Sequence, residues 1–163
     1  MKRIVAFSFL NIALHLALFS QSDDLKKIIK DLSYKELTNV KAIYSDCISK
    51  PNNCYGDSLF LKTWLDGLEN ETINNLDRAV DFYYKAIKIN RFELSTYEVM
   101  YSLGRTEILR GNTKKGIEIL NGFVKKANSE QNDENSMWGF SEEGLKEVKQ
   151  KIENSKQLIL KCQ

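Results

Sequence analysis

Few residues of this chain have the chemistry that catalysis requires. The only histidine is His15, which lies in the strongly apolar start of the chain. The rest of the sequence therefore has no imidazole for a nucleophile–base pair or for a histidine-containing zinc site. The three cysteines form no C-x-x-C redox motif, and no glycine-rich phosphate loop precedes a predicted helix. We expect no metal and no cofactor.

Carboxylates are the remaining candidates for catalysis. Glycosidases use two aspartate or glutamate side chains, one on each side of the bond that breaks. The acidic residues considered for such a role are Asp57, Asp66, Glu69 and Glu71. Acidic side chains are usually solvated surface groups. We therefore expect a protein without catalytic activity and keep a carboxylate-dependent glycan hydrolase as an alternative.

Two of the cysteines flank a short turn-forming stretch. Cys47 and Cys54 lie on either side of six residues that include the only proline, Pro51. A disulfide between them would hold this loop between two predicted helices. We predict this pair and expect Cys162 to be left over, although spacing alone leaves Cys162 as a competing partner.

The first 20 residues are typical of a secretory signal peptide. Met1-Lys2-Arg3 is positively charged, residues 4–19 are almost wholly apolar, and Ser20 and Ser22 are small residues that suit cleavage. The apolar run is shorter than the ~20 residues that span a bilayer, so a retained membrane anchor is the less favoured alternative. We expect a periplasmic or secreted chain with no membrane anchor after cleavage at residues 20–22.

Cleavage of the signal also balances the charge of the chain. The full sequence has 24 basic and 22 acidic residues, and Lys2 and Arg3 leave with the signal. The mature chain then has 22 of each. Nucleic-acid binding depends on a clustered basic surface, whereas basic and acidic residues alternate along the predicted helices. We expect no nucleic-acid partner.

The elements that position these residues are predicted to be helices, because one helical unit occurs twice. Residues 74–80, Asn-Asn-Leu-Asp-Arg-Ala-Val, align with residues 111–117, Gly-Asn-Thr-Lys-Lys-Gly-Ile, at an offset of 37 residues. The same offset carries Gly67 onto Gly104. A period of this length is typical of stacked helix pairs. One proline and eight glycines in 163 residues also favour helices over a sheet with tight turns.

Residues 75–90 resemble the second helix of a tetratricopeptide repeat. The family places Ala, an aromatic residue and Ala before a closing Asn-Pro, and this segment has Ala79, Tyr83 and Ala86. It departs from the pattern at the end, where Arg91 stands in place of the proline. Residues 93–128 are similar but more degenerate. The resemblance covers about residues 59–128.

The resemblance implies an all-α fold, in which antiparallel helix pairs stack as a short tetratricopeptide-like solenoid with capping helices at both ends. A single domain over residues 21–163 would contain N-terminal capping helices and the cysteine loop (21–57), two repeats (58–128), and a polar loop with a C-terminal capping helix (129–163). Ser33-Tyr34-Lys35-Glu36 has the pattern of a capping box. This pattern predicts that a second capping helix begins at Ser33.

The resemblance also implies a binding surface. In the family, the first helix of each pair lines a concave groove, and the matching positions here are Leu61, Trp64, Leu68, Glu71, Glu98, Tyr101, Arg105 and Ile108. Aromatic and arginine side chains are common binding hot spots. We therefore expect a protein or peptide partner in this groove. An immunity protein that neutralises a toxin delivered to the periplasm is an alternative, since small size, export and a disulfide all suit it.

Overall fold

The computed structural model describes residues 2–50, 58–89, 93–131 and 142–162, and the side chains of residues 23–50, 58–89, 96–129 and 144–162. This part of the chain contains helices and no strand, so the all-α prediction is confirmed. The helices are α1 (Lys2–Ser49), α2 (Ser58–Thr72), α3 (Leu76–Ile89), α4 (Glu93–Leu109), α5 (Thr113–Gln131) and α6 (Glu142–Lys161).

The helices pack in chain order. α2 packs on α3, α4 packs on α5, and α3 packs on α4, so two antiparallel pairs stack side by side. α1 packs mainly on α2, and α6 packs mainly on α5, so these two helices flank the two pairs. Both also contact α4, and they contact each other. We call the surface of α2 and α4 that faces α1 and α6 the inner face.

The turns inside the two pairs have the same geometry. Asn74 and Gly111, which are 37 residues apart, have positive φ angles of 64° and 87°. The next residue, Asn75 or Asn112, donates its backbone N–H to the carbonyl five residues before it, at 2.8 and 2.9 Å respectively. This hydrogen bond is that of a Schellman helix end, in which a left-handed residue stops the helix. The sequence repeat is therefore also a structural repeat.

Small residues let the helices of each pair approach closely. A Cβ atom added to Gly67 would lie 2.5 Å from Cε1 of Tyr83, so the tyrosine ring packs directly on the α2 backbone. In the second pair, a Cβ atom on Gly116 would lie 2.6 Å from the carbonyl oxygen of Gly104. Ala79, at the position equivalent to Gly116, is fully buried. The packing between α4 and α5 therefore brings two backbones together.

The first part of the fold differs from the prediction of two capping helices. α1 is continuous, and Ser33 lies in the middle of it, with its Oγ 2.8 Å from the Ile29 carbonyl oxygen. Ser33 and Glu36 share the buried stripe of α1 with Ile29 and Val40. Their partners lie on other helices, and these tertiary contacts outweigh the local capping preference.

Several predictions fall on residues that the structure does not describe. Cys54 and Asp57 lie between α1 and α2, and most of the predicted polar loop lies between α5 and α6. Residues 2–20 belong to α1, and their side chains lie outside the described residues, so the signal peptide stays a prediction. Over the described residues, no helix combines the length and the hydropathy needed to cross a membrane.

Candidate functional site

The residues predicted to line an open groove are buried. At most 7% of the surface of the following is exposed: Leu61, Trp64, Leu68, Glu71, Tyr101, Arg105 and Ile108. The Glu98 side chain is 28% exposed. These residues do lie on the inner face, but α1 and α6 cover it. The expected open groove is therefore replaced, in the described part of the chain, by an interior. The physical reason is that α1 buries its apolar stripe, including Ile29, Val40 and Cys47, against this face.

Arg105 of α4 is the centre of this interior. Its side chain is fully buried, and its Nε and Nη2 atoms donate to the two carboxylate oxygens of Glu71 at 2.9 and 3.1 Å. Its Nη1 atom lies 2.5 Å from Oε2 of Glu36 on α1. The guanidinium also lies over the Tyr101 ring, 4.9 Å from the centroid. One cation of α4 therefore joins carboxylates of α1 and α2, and its fork geometry suits this role.

Neutral donors complete the coordination of Glu71. Ser33 Oγ donates to Glu71 Oε1 at 2.7 Å, and the Tyr83 hydroxyl donates to Oε2 at 2.5 Å. Burial raises the pKa of Tyr83 well above its ordinary value, and the Glu71 carboxylate raises it further. Tyr83 therefore stays a protonated donor. With two bonds from Arg105, the Glu71 carboxylate accepts four hydrogen bonds from residues of α1, α3 and α4.

Lys151 of α6 is the second buried cation. Its Nζ atom lies 3.1 Å from Glu98 Oε1, 3.3 Å from Glu36 Oε1 and 3.7 Å from Glu147 Oε1. Burial alone would lower the pKa of Lys151, but the charges of Glu98 and Glu36 outweigh it and raise the pKa above its ordinary value. Lys151 therefore stays charged and ties α6 to α1 and α4.

Glu36 lies between the two cations. Burial by itself raises its pKa, but the charges of Arg105 and Lys151 and a hydrogen bond from Ser102 lower it below the ordinary value. Ser102 Oγ donates to Glu36 Oε2 at 2.9 Å and accepts from Trp64 Nε1 at 3.2 Å. We call Glu36, Glu71, Arg105 and Lys151, with these polar neighbours, the inner ion network.

The inner ion network can hold helices in register but is not arranged for catalysis. Removing one member of a buried ion pair is strongly destabilising, because it leaves the other charge buried without a partner. Glu71, one of the acids considered for glycan hydrolysis, is enclosed by its four donors, and Asp66 pairs with the Lys62 ammonium. Among the described residues, no three His, Cys, Asp or Glu side chains are placed to hold a metal ion.

The cysteine predictions are tested only in part. Cys162 is a free, half-buried thiol near the end of α6, and burial raises its pKa. Its free state agrees with the expectation that it is left over. Cys47 is buried on α1, and Cys54 lies outside the described residues. The bridge between Cys47 and Cys54 stays a prediction.

The sequence analysis missed Ser33, Glu36 and Lys151 as members of the site. A signal for two of them is present, because Ile29, Ser33, Glu36 and Val40 follow each other at intervals of three and four residues. Polar residues on an apolar stripe need buried partners. The local capping pattern concealed this signal.

Comparisons with protein-family models, with curated protein sequences and with solved structures find no match to this chain. The likeness to tetratricopeptide repeats therefore stays an expectation that depends on residues 59–128.

Proposed function

We propose that this chain is an exported, non-catalytic interaction module that binds another protein in the periplasm or outside the cell. The observation that carries the proposal is that the inner face of α2 and α4 holds residues 29–47 of α1 through apolar and charged contacts, so helices of this fold can bind another helix. Helices that present such mixed surfaces are common scaffolds for protein recognition. The binding needs no cofactor, and the balanced charge of the mature chain favours a protein over nucleic acid.

The partner binds outside the inner face. Release of α1 would expose Ile29 and Val40 and would take Glu36 away from Arg105, so exchange of α1 for a partner helix is unfavourable. Two large apolar side chains are exposed where α1 ends and where α2 begins. Ile48 and Leu59, which are 57% and 58% exposed, stand on either side of the connection between α1 and α2. Large exposed apolar side chains are candidates for a protein contact.

Affinity capture from the native compartment tests this surface. We expect the double variant Ile48→Asp, Leu59→Asp to lose the captured partner while its circular dichroism and melting midpoint stay unchanged. Ile73→Asp is the matched control, because Ile73 is 73% exposed and lies in the turn between α2 and α3. Equal capture by both variants would show that the partner does not bind at Ile48 and Leu59. Turnover of purified cell-wall glycan by the wild-type protein would refute the absence of catalysis.

Export is tested separately. N-terminal sequencing of the protein recovered from outside the cytoplasm should return a start between Gln21 and Leu25. A chain that still begins with Met1 would contradict the processing that the proposal includes.

A further inference from the structure

A cavity lies between α1 and α6, next to the inner ion network. Its volume is about 300 Å³, and its wall includes Tyr101 of α4 in addition to side chains of α1 and α6. This volume is at the lower end of the range for small-molecule sites, which begins near 300 Å³. The cavity therefore suits a ligand no larger than a monosaccharide.

Two buried groups in the cavity wall have unused hydrogen-bonding capacity. Tyr101 is only 2% exposed, and its hydroxyl accepts a long bond of 3.5 Å from Asn154 Nδ2. Within the described residues, the hydroxyl proton has no acceptor. Glu36 Oε1 accepts no hydrogen bond and has only the ion contact with Lys151 at 3.3 Å. Buried polar groups usually have hydrogen-bond partners. The Tyr101 hydroxyl can therefore donate to a ligand or water, and Glu36 Oε1 can accept from one.

The mouth of the cavity is positively charged. Lys35 of α1 and Lys146 of α6 both line it, and both are exposed. Neither forms an ion pair with any residue in the described part of the chain. Lys151 is already paired with Glu98, Glu36 and Glu147, so Lys35 and Lys146 are the cations of the lining that are left for a ligand. An anionic group of the ligand would pair with these two lysines.

We propose that this cavity binds a small hydroxylated carboxylate of the size of a hexuronic acid. The ligand carboxylate pairs with Lys35 and Lys146 at the mouth. Its hydroxyl groups accept from Tyr101 and donate to Glu36 deeper in the cavity. The Asn154 amide, with donors and an acceptor, serves a further hydroxyl. This site is independent of the protein surface at Ile48 and Leu59.

Isothermal titration calorimetry of the purified exported protein at low ionic strength tests the ligand class. The probes are glucuronate, glucose and acetate. We expect saturable one-to-one binding of glucuronate, with glucose and acetate each about tenfold weaker or more, because each lacks one of the two recognised groups. Equal affinity for acetate and glucuronate would mean adventitious anion binding and would overturn the proposal. No binding of glucuronate would also overturn it.

Charge variants on the surface locate the site without disturbing the core. Lys35→Gln with Lys146→Gln should weaken glucuronate binding by about tenfold or more. The matched control, Lys30→Gln with Lys149→Gln, removes exposed lysines of the same two helices that do not line the cavity. Equal weakening by both pairs would show diffuse attraction by surface charge and would refute the site.

Tyr101→Phe tests the deeper contact. It removes the hydroxyl and keeps the ring under Arg105, so the melting midpoint should stay close to wild type while glucuronate affinity falls about fivefold or more. If affinity and midpoint are both unchanged, Tyr101 donates nothing to the ligand and the proposed pose is wrong. If the variant does not fold, the result of the lysine pairs decides.

Discussion

The inner ion network predicts that Arg105→Met destabilises the fold severely. The substitution keeps most of the side-chain length and removes the cation that joins α4 to α1 and α2. Glu71 would keep only the donors Ser33 and Tyr83, and Glu36 would keep Lys151 at 3.3 Å. Both carboxylates would remain buried, and Glu71 would have no cation partner.

The expected loss is about 3–5 kcal/mol, which is the usual cost of removing one partner from a buried ion pair. We expect the upper half of this range, because Arg105 serves two carboxylates at once. For a chain of this size, each kcal/mol changes the melting midpoint by about 2–4 °C. The midpoint should therefore fall by roughly 8–20 °C.

Thermal and urea unfolding, followed by circular dichroism at pH 7 and pH 5, measure this loss. Burial without a cation raises the pKa of a carboxylate. The variant should therefore regain part of the lost stability, relative to wild type, at the lower pH. Arg78→Met is the matched control, because Arg78 is exposed on α3 and its loss should leave the midpoint within about 2 °C.

A second variant separates charge from packing. Adding Glu36→Gln and Glu71→Gln to Arg105→Met removes the buried negative charges, and this should recover about 2 kcal/mol of the loss. A loss below about 1 kcal/mol in Arg105→Met itself would refute the reasoning. It would show that water reaches these carboxylates and that α1 is not seated on the inner face.

Other predictions follow from separate parts of the fold. Gly116→Ala should cost about 1–3 kcal/mol by chemical denaturation, because its Cβ would lie 2.6 Å from a backbone oxygen. The control Gly122→Ala, whose Cβ would meet only a methionine methyl at 3.4 Å, should be neutral or slightly stabilising. The folded pKa of Glu36 lies below its ordinary value, so its contribution to the free energy of unfolding is present above the unfolded pKa of about 4.3 and is lost as the pH falls through the folded pKa. Acid titration of stability should therefore show a smaller decrease in Glu36→Gln than in wild type, and an equal decrease would contradict the assignment. Peptide mapping of the exported protein without reduction should find Cys47 linked to Cys54, and either cysteine linked elsewhere would disprove that pair.

The helix pairs were predictable from sequence because their determinants are local. The first repeat was predicted to begin at residue 58, where α2 begins, and the segment 75–90 that resembles a second helix contains α3 (Leu76–Ile89). Apolar residues at helical spacing define the buried sides. Asn74 and Gly111 tolerate the left-handed conformation that stops α2 and α4.

The candidate site was predictable only as a set of residues on one face. The resemblance placed Glu71, Tyr101 and Arg105 together along a concave groove, and the structure has them together on the inner face, where they are buried. Whether that face is open to a partner depends on what else the chain packs against it. The spacing of these residues is the same whether the face is open or covered, so the sequence pattern could not distinguish a groove from an interior.

What the sequence alone determined is therefore the all-helical fold, the period of 37 residues and the scarcity of catalytic side chains. Tertiary structure alone decided that α1 is one helix lying along the inner face. Ser33-x-x-Glu36 has the same local signature whether it begins a helix or points into a core. Residues distant in sequence decide between the two roles. Glu71 pairs with Ser33 and Arg105 pairs with Glu36, so both side chains of this signature have buried partners inside the fold.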